Sequence, residues 1–151
     1  ELNVGGAFVI PFETWDMTLG YTFLNFADDD STDNELSVEL GTSISDSVDL
    51  AAAFIYSTDA AGTFIELIAS TEVARNNFTL TPYMLLGLNA GYVSEEHDGL
   101  NNLQMGIQVA TELSDGFELG VYGAYTIGLD EKPGETLENI FWAGFSVGWT
   151  N

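Results

Sequence analysis

Apolar residues alternate with small or polar ones along nearly the whole chain. Leu2, Val4, Gly6, Phe8 and Ile10 fall on one side of the first segment, and Asn3, Gly5, Ala7 and Val9 on the other. Successive side chains of a strand point to opposite faces, so the pattern predicts a strand with one greasy side. Eight more segments repeat it: residues 15–23, 35–44, 48–56, 64–73, 78–92, 103–112, 117–127 and 140–149. Pro82 falls inside the sixth, which predicts a bulge or an edge position there, because proline has no N–H for a ladder. No stretch has the 3.6-residue period of a helix. No apolar run approaches the roughly 20 residues that a membrane-crossing helix needs, so any crossing must be made by strands.

The connections alternate in length. Residues 11–14, 45–47, 75–77 and 114–116 are short, whereas 27–34, 57–62, 94–102 and 130–139 are longer and acidic. An up-and-down antiparallel meander has this form, with tight turns at one end and loops at the other. The expected fold is therefore all-β: an up-and-down antiparallel β-barrel of about 8–10 strands in a single domain over residues 1–151. Nine strands leave the first and last parallel, whereas antiparallel barrels close most simply on an even number. A missing N-terminal strand, a miscounted strand, or a neighbouring chain that completes the barrel would resolve the parity. The chain starts at Glu1 without a charged-then-apolar leader, which suggests a processed or partial product.

Charge narrows the partners. There are 24 Asp and Glu against 2 Lys and Arg, for a formal charge of -22. Nucleic acid and anionic lipid surfaces would repel such a chain, and cations are its natural counter-species. Cysteine is absent, so disulfides and thiolate metal sites are excluded.

Two faces must be assigned. Trp15, Phe78, Phe117 and Trp149 fall near the tight turns on the greasy side, and Phe23, Tyr56, Tyr92, Tyr125 and Phe141 near the loops. Membrane barrels place two such aromatic girdles at the two interfaces, on the outward face. The other side is rich in Gly, Ala, Ser, Thr, Gln and Glu, which suits a crowded or wet lumen. The last strand adds a resemblance. Trp142, Gly144, Val147 and Trp149 fill a pattern of bulky, any, Gly, any, any, apolar, any, aromatic. This is similar to the terminal-strand signal of bacterial outer-membrane β-barrels, although Thr150 and Asn151 follow the final aromatic. The resemblance implies a transmembrane, porin-like barrel in a bacterial outer membrane, with lipid around it and small solutes as cargo.

With the greasy side outward, Asp16, Glu39, Asp49 and Glu66 become lumen acids, and a lumen of that charge should favour cations. Asp28, Asp30 and Asp33 in one loop, and Glu95, Glu96 and Asp98 in another, could offer oxygens to Ca²⁺ or Mg²⁺. His97 beside Glu96 and Asp98 lacks a serine nucleophile motif, so no enzyme is expected. Two other readings compete with passive transport or a purely structural membrane barrel. One is a soluble acidic β-barrel with an apolar ligand inside. The other is an interaction barrel that grips a partner through its loops.

Overall fold

The computed structural model describes residues 2–26, 31–93, 98–114, 116–129, 131–132, 135–136 and 139–149. The strands are β1 (Leu2–Pro11), β2 (Asp16–Phe26), β3 (Ser31–Ser45), β4 (Val48–Ser57), β5 (Thr63–Thr71), β6 (Val73–Arg75), β7 (Phe78–Ala90), β8 (Asp98–Ser114), β9 (Phe117–Gly128), β10 (Glu131–Lys132), β11 (Glu135–Thr136) and β12 (Ile140–Trp149). The main sheet runs β1-β2-β3-β4-β5-β7-β8-β9-β12, and every neighbouring pair is antiparallel. β10 and β11 form a separate ribbon. The predicted nine-strand meander is therefore present among the described residues.

The barrel, however, is not closed. The sheet curls into a half-barrel and leaves β1 and β12 as free edges. Nine alternating strands explain this: β1 and β12 run the same way, so neither can extend the antiparallel ladder of the other. The accessible surface reflects the opening. It is 10176 Å², against about 7,500 Å² for a compact monomer of this mass.

Pro82 lies in the middle of the sheet rather than at an edge. Its strand pairs normally with β8, through Pro82 and Ile107. On the other side the ladder stops at Ser70 and Tyr83 and resumes at Val73 and Leu80. Pro82 lies beside that gap, where the expected fifth strand is split into β5 and β6, and its ring nitrogen has no N–H to offer a ladder. Inside the gap, the Glu72 amide donates to the Ser47 carbonyl at 3.3 Å.

The tight turns gather at one end. Arg75 pairs with Phe78 around Asn76, whose φ of 54 is the left-handed value that a two-residue hairpin turn requires. Residues 12–15 close over stacked Phe12 and Trp15 rings, 3.9 Å between centroids. At the other end, strands run past their expected limits. β2 reaches Phe26, β3 begins at Ser31, and β8 begins at Asp98. Asn101 is an extra residue between the Leu100–Leu88 and Asn102–Gly87 pairs. That bulge shifts the alternation by one and hides the first part of β8 from a period-two reading.

Cross-strand contacts show which face is concave. Trp142 Nε1 donates to Gln104 Oε1 at 3.3 Å, reaching over β9. The Tyr92 hydroxyl, just past β7, donates to the Glu35 carboxylate on β3. Side chains on non-adjacent strands meet only on the inside of a curve. The face with Glu35, Gln104 and Trp142 is therefore inner, as expected from its composition. Leu40, Ile107 and Phe145 stand outside, and Phe145 is 77% exposed.

Large inner rings rest over glycines. Tyr83 pairs with Gly106 and Tyr122 with Gly144, and a Cβ on either glycine would overlap the tyrosine opposite. Gly62 is more constrained, because a Cβ there would collide with the backbone of Gly91 and Tyr92. Backbone cannot swing aside as a ring can. Gly62→Ala should destabilise the fold by about 1–3 kcal/mol, read as a lower denaturation midpoint. Gly106→Ala should cost less, because Tyr83 can rotate away.

Candidate functional site

The inner wall has an acidic sector. Glu39 on β3 and Glu66 on β5 share one register row, each directly beside Ala53 on the strand between them. Ala53 is small and buried, so both carboxylates project over it. Glu35 lies four residues before Glu39 on the same face and accepts the Tyr92 hydroxyl. The Tyr92 ring meets Phe64 at 5.8 Å between centroids. The predicted lumen acids therefore divide into two groups. Glu39 and Glu66 are half-buried in mid-wall. Asp16 and Asp49 are exposed at the tight-turn rim, where Asp49 accepts the Ser43 hydroxyl at 2.5 Å.

A neutral sector faces it. Gln104 donates to the Tyr83 hydroxyl at 3.0 Å, and its Oε1 accepts Thr126 at 2.9 Å and Trp142 at 3.3 Å. One amide thus ties β7, β8, β9 and β12 together across the wall. Tyr122 supports Trp142 edge-on, at 5.3 Å between centroids. Gln104 was not singled out by the sequence pattern, because an inward Gln looks like any other polar alternation residue.

Asp33 behaves differently from the expectation of a cation ligand. It is 7% exposed. Its Oδ1 accepts the amides of Asn34 at 2.7 Å and Asp59 at 2.9 Å, and the Thr58 hydroxyl at 3.3 Å. Its Oδ2 accepts the Ser57 hydroxyl at 2.6 Å. The carboxylate is committed to pinning the β4–β5 loop against the end of β3. Desolvation pushes its pKa up, but the bonds from Ser57, Asp59, Asn34 and Thr58 outweigh that and hold it below the ordinary value. Among the other predicted cation ligands, Asp98 opens β8, while Asp28, Asp30, Glu95 and Glu96 lie outside the described residues, as does His97. Among the described residues, no three acids or histidines converge as a metal site would require.

The outer face forms a band. Trp15 and Phe23, Phe117 and Tyr125, and Phe141 and Trp149 are each eight residues apart on one strand. Eight residues span roughly 27 Å along a strand, or about 21 Å along the axis of a barrel tilted by about 40°. Phe78 adds to the turn-side row and Tyr56 to the loop-side row. Trp149 is described by its backbone alone, which pairs with Phe117. Tyr92 is a correction. Gly91 has φ 78 beyond the end of β7, and the chain turns there and sends the ring inward to Glu35.

The chain matches no known protein family, curated protein or solved structure with which it was compared. Outward strand positions between the two aromatic rows carry no Asp, Glu, Lys or Arg, in a chain with 24 acids. The inner wall holds mid-wall carboxylates, and the chain's cations are limited to Arg75, at a turn, and Lys132, in the β10–β11 ribbon. Chemically, this wall can attract cations and repel anions.

Proposed function

We propose that this chain forms the wall of a bacterial outer-membrane β-barrel that passes small cations in preference to anions. The observation that carries the reading is the uncharged outer band between two aromatic rows. Water would not select against charge on an exposed face, whereas hydrocarbon does, at about 2–4 kcal/mol for each mid-bilayer Arg or Lys. The height of the band, about 21 Å, approaches the roughly 25 Å apolar belt of such barrels. A soluble barrel with an apolar ligand would turn its large hydrocarbons inward, which is opposite to the placement of Leu40, Ile107 and Phe145. A cation-dependent interaction barrel gains little from Asp33, whose oxygens are already occupied.

Reconstitution and recording test the reading. The protein should require detergent for extraction and should run as a heat-modifiable band. In a planar bilayer under a KCl gradient, the reversal potential should report cation preference. Replacing Glu39 and Glu66 together by Gln should lower that preference about fivefold, the equivalent of about 1 kcal/mol of lost attraction. Anion preference in the unmodified protein, or full solubility without detergent, would overturn the proposal.

A further inference from the structure

Aromatic rings pave the neutral sector of the inner wall, over β8, β9 and β12 in turn. A Cβ on Gly106 would meet Cζ, Cε1 and the hydroxyl of Tyr83. One on Gly144 would meet Cζ, Cε2 and the hydroxyl of Tyr122. A single point that touches three atoms around one ring corner lies under the ring face, not at its edge. Each tyrosine therefore lays one face on the wall and turns the other toward the concave space. Trp142 starts on β12 and donates to Gln104 on β8, so its indole passes over β9. Its neighbour there, Ala124, is 3% exposed, whereas Trp142 itself is 38% exposed. Tyr122 and Trp142 meet at 5.3 Å with 69° between their planes, which makes a corner of two aromatic surfaces.

The polar edges of two of these rings are already committed. Gln104 donates to the Tyr83 hydroxyl, and its oxygen accepts the Trp142 N–H. The faces are what remain for a solute, and a ring face is the negative pole of the aromatic quadrupole. The surrounding wall is uncharged: residues 79–89, 102–110, 120–128 and 140–148 contain no Asp, Glu, Lys or Arg. The mid-wall acids are collected elsewhere, on β3 and β5. The wall thus attracts positive charge by two different chemistries. Carboxylates suit a small, hydrated cation. Ring faces suit a cation whose charge is spread over carbon, because it holds water weakly and can lie within about 6 Å of a ring centroid.

We propose that Tyr83, Tyr122 and Trp142 form a binding site for an organic cation of the quaternary-ammonium class. The inference names the solute class for the cation-preferring barrel, and it rests on that reading for the route to the wall. Occupancy of the site needs no bilayer. A neutral sugar fits less well, because the Gln104 oxygen is spent on Thr126 and Trp142. An anion is opposed by the formal charge of -22.

The test uses the full chain in a neutral detergent that carries no choline group. Trp15→Phe with Trp149→Phe leaves Trp142 as the remaining indole of three. Choline chloride replaces NaCl at constant ionic strength, and Trp142 emission is followed. The emission change should saturate in the millimolar range. Dimethylbutanol, the uncharged carbon isostere of choline, should need at least about fivefold more for the same change. Tyr122→Leu should weaken choline binding about fivefold, and Tyr122→Phe should leave it unchanged, since the ring face is kept. Tyr83→Leu, on another strand, should show a similar loss and serves if Tyr122→Leu does not fold. Equal binding of choline and dimethylbutanol would mean a merely greasy surface and would overturn the proposal. So would a response that does not saturate, or undiminished binding in the Leu variants. A protein that binds choline but does not conduct would sink the transport reading and leave this site standing. One that conducts cations but ignores choline would do the reverse.

Discussion

Val121→Arg should lower the stability of the bilayer-inserted chain by about 2–4 kcal/mol. Val121 is 52% exposed on the outer face, four residues from Phe117 and four from Tyr125. It pairs with Phe145, which holds the same middle position between Phe141 and Trp149. The band is deepest there, and an arginine has the longest reach to water. The matched control is Gln108→Arg, on the adjacent β8 but on the inner face. That substitution adds a positive charge to an acidic wall and should change stability by less than about 0.5 kcal/mol. Denaturant titration of the protein in phosphatidylcholine vesicles, followed by tryptophan fluorescence, measures both. Equal effects at the two positions would mean that the outer band does not meet hydrocarbon.

Asp33→Ala should cost about 2–4 kcal/mol, because it strands the buried Ser57 hydroxyl and the Asp59 amide without acceptors. The loss should be local first. Proteolysis within residues 58–62 should accelerate before the sheet unfolds, since this loop is held to β3 mainly through that carboxylate and through the Thr58 amide on the Asn34 carbonyl. The pH dependence follows from the direction of the shift. The folded Asp33 pKa lies below its ordinary value. Its contribution is therefore complete above about pH 4, the ordinary carboxylate value, and is lost as pH falls through the lower folded value. Wild type and variant should differ fully at neutral pH and converge in stronger acid. A constant difference down to the lowest accessible pH would show that the clamp does not depend on the ionised carboxylate.

Much of this architecture is legible in the alternation of the sequence. Strict alternation predicted the strands, and the small and polar residues on one face, with aromatics near the strand ends of the other, pointed to the inner face, because a period of two allows no intermediate position. Departures occurred where the period was broken. Asn101 is inserted as a bulge and Gly91 turns the chain, so the start of β8 and the inward swing of Tyr92 escaped the pattern. The Asp33 clamp escaped for another reason. Its partners Ser57, Thr58 and Asp59 lie more than twenty residues away, and an acid in a polar run looks solvated until the neighbouring loop folds over it. Gln104 escaped similarly, since its partners come from three other strands. The open seam was implied by the odd strand number, but only the pairing shows that both edges are left bare.

The tyrosines seated over Gly106 and Gly144 also bear on how the strands find one another. If β8 slid by two residues along β7, Tyr83 would face Gln104 or Gln108 in place of Gly106, and its ring would lose the hollow it lies in. A slide of β12 along β9 would set Tyr122 against Trp142 or Ser146. Hydrocarbon rows on the outside are nearly indifferent to such slides, because Leu, Val and Met replace one another there. Each notch therefore acts as a frame mark that lets a repetitive wall be zipped in one alignment only.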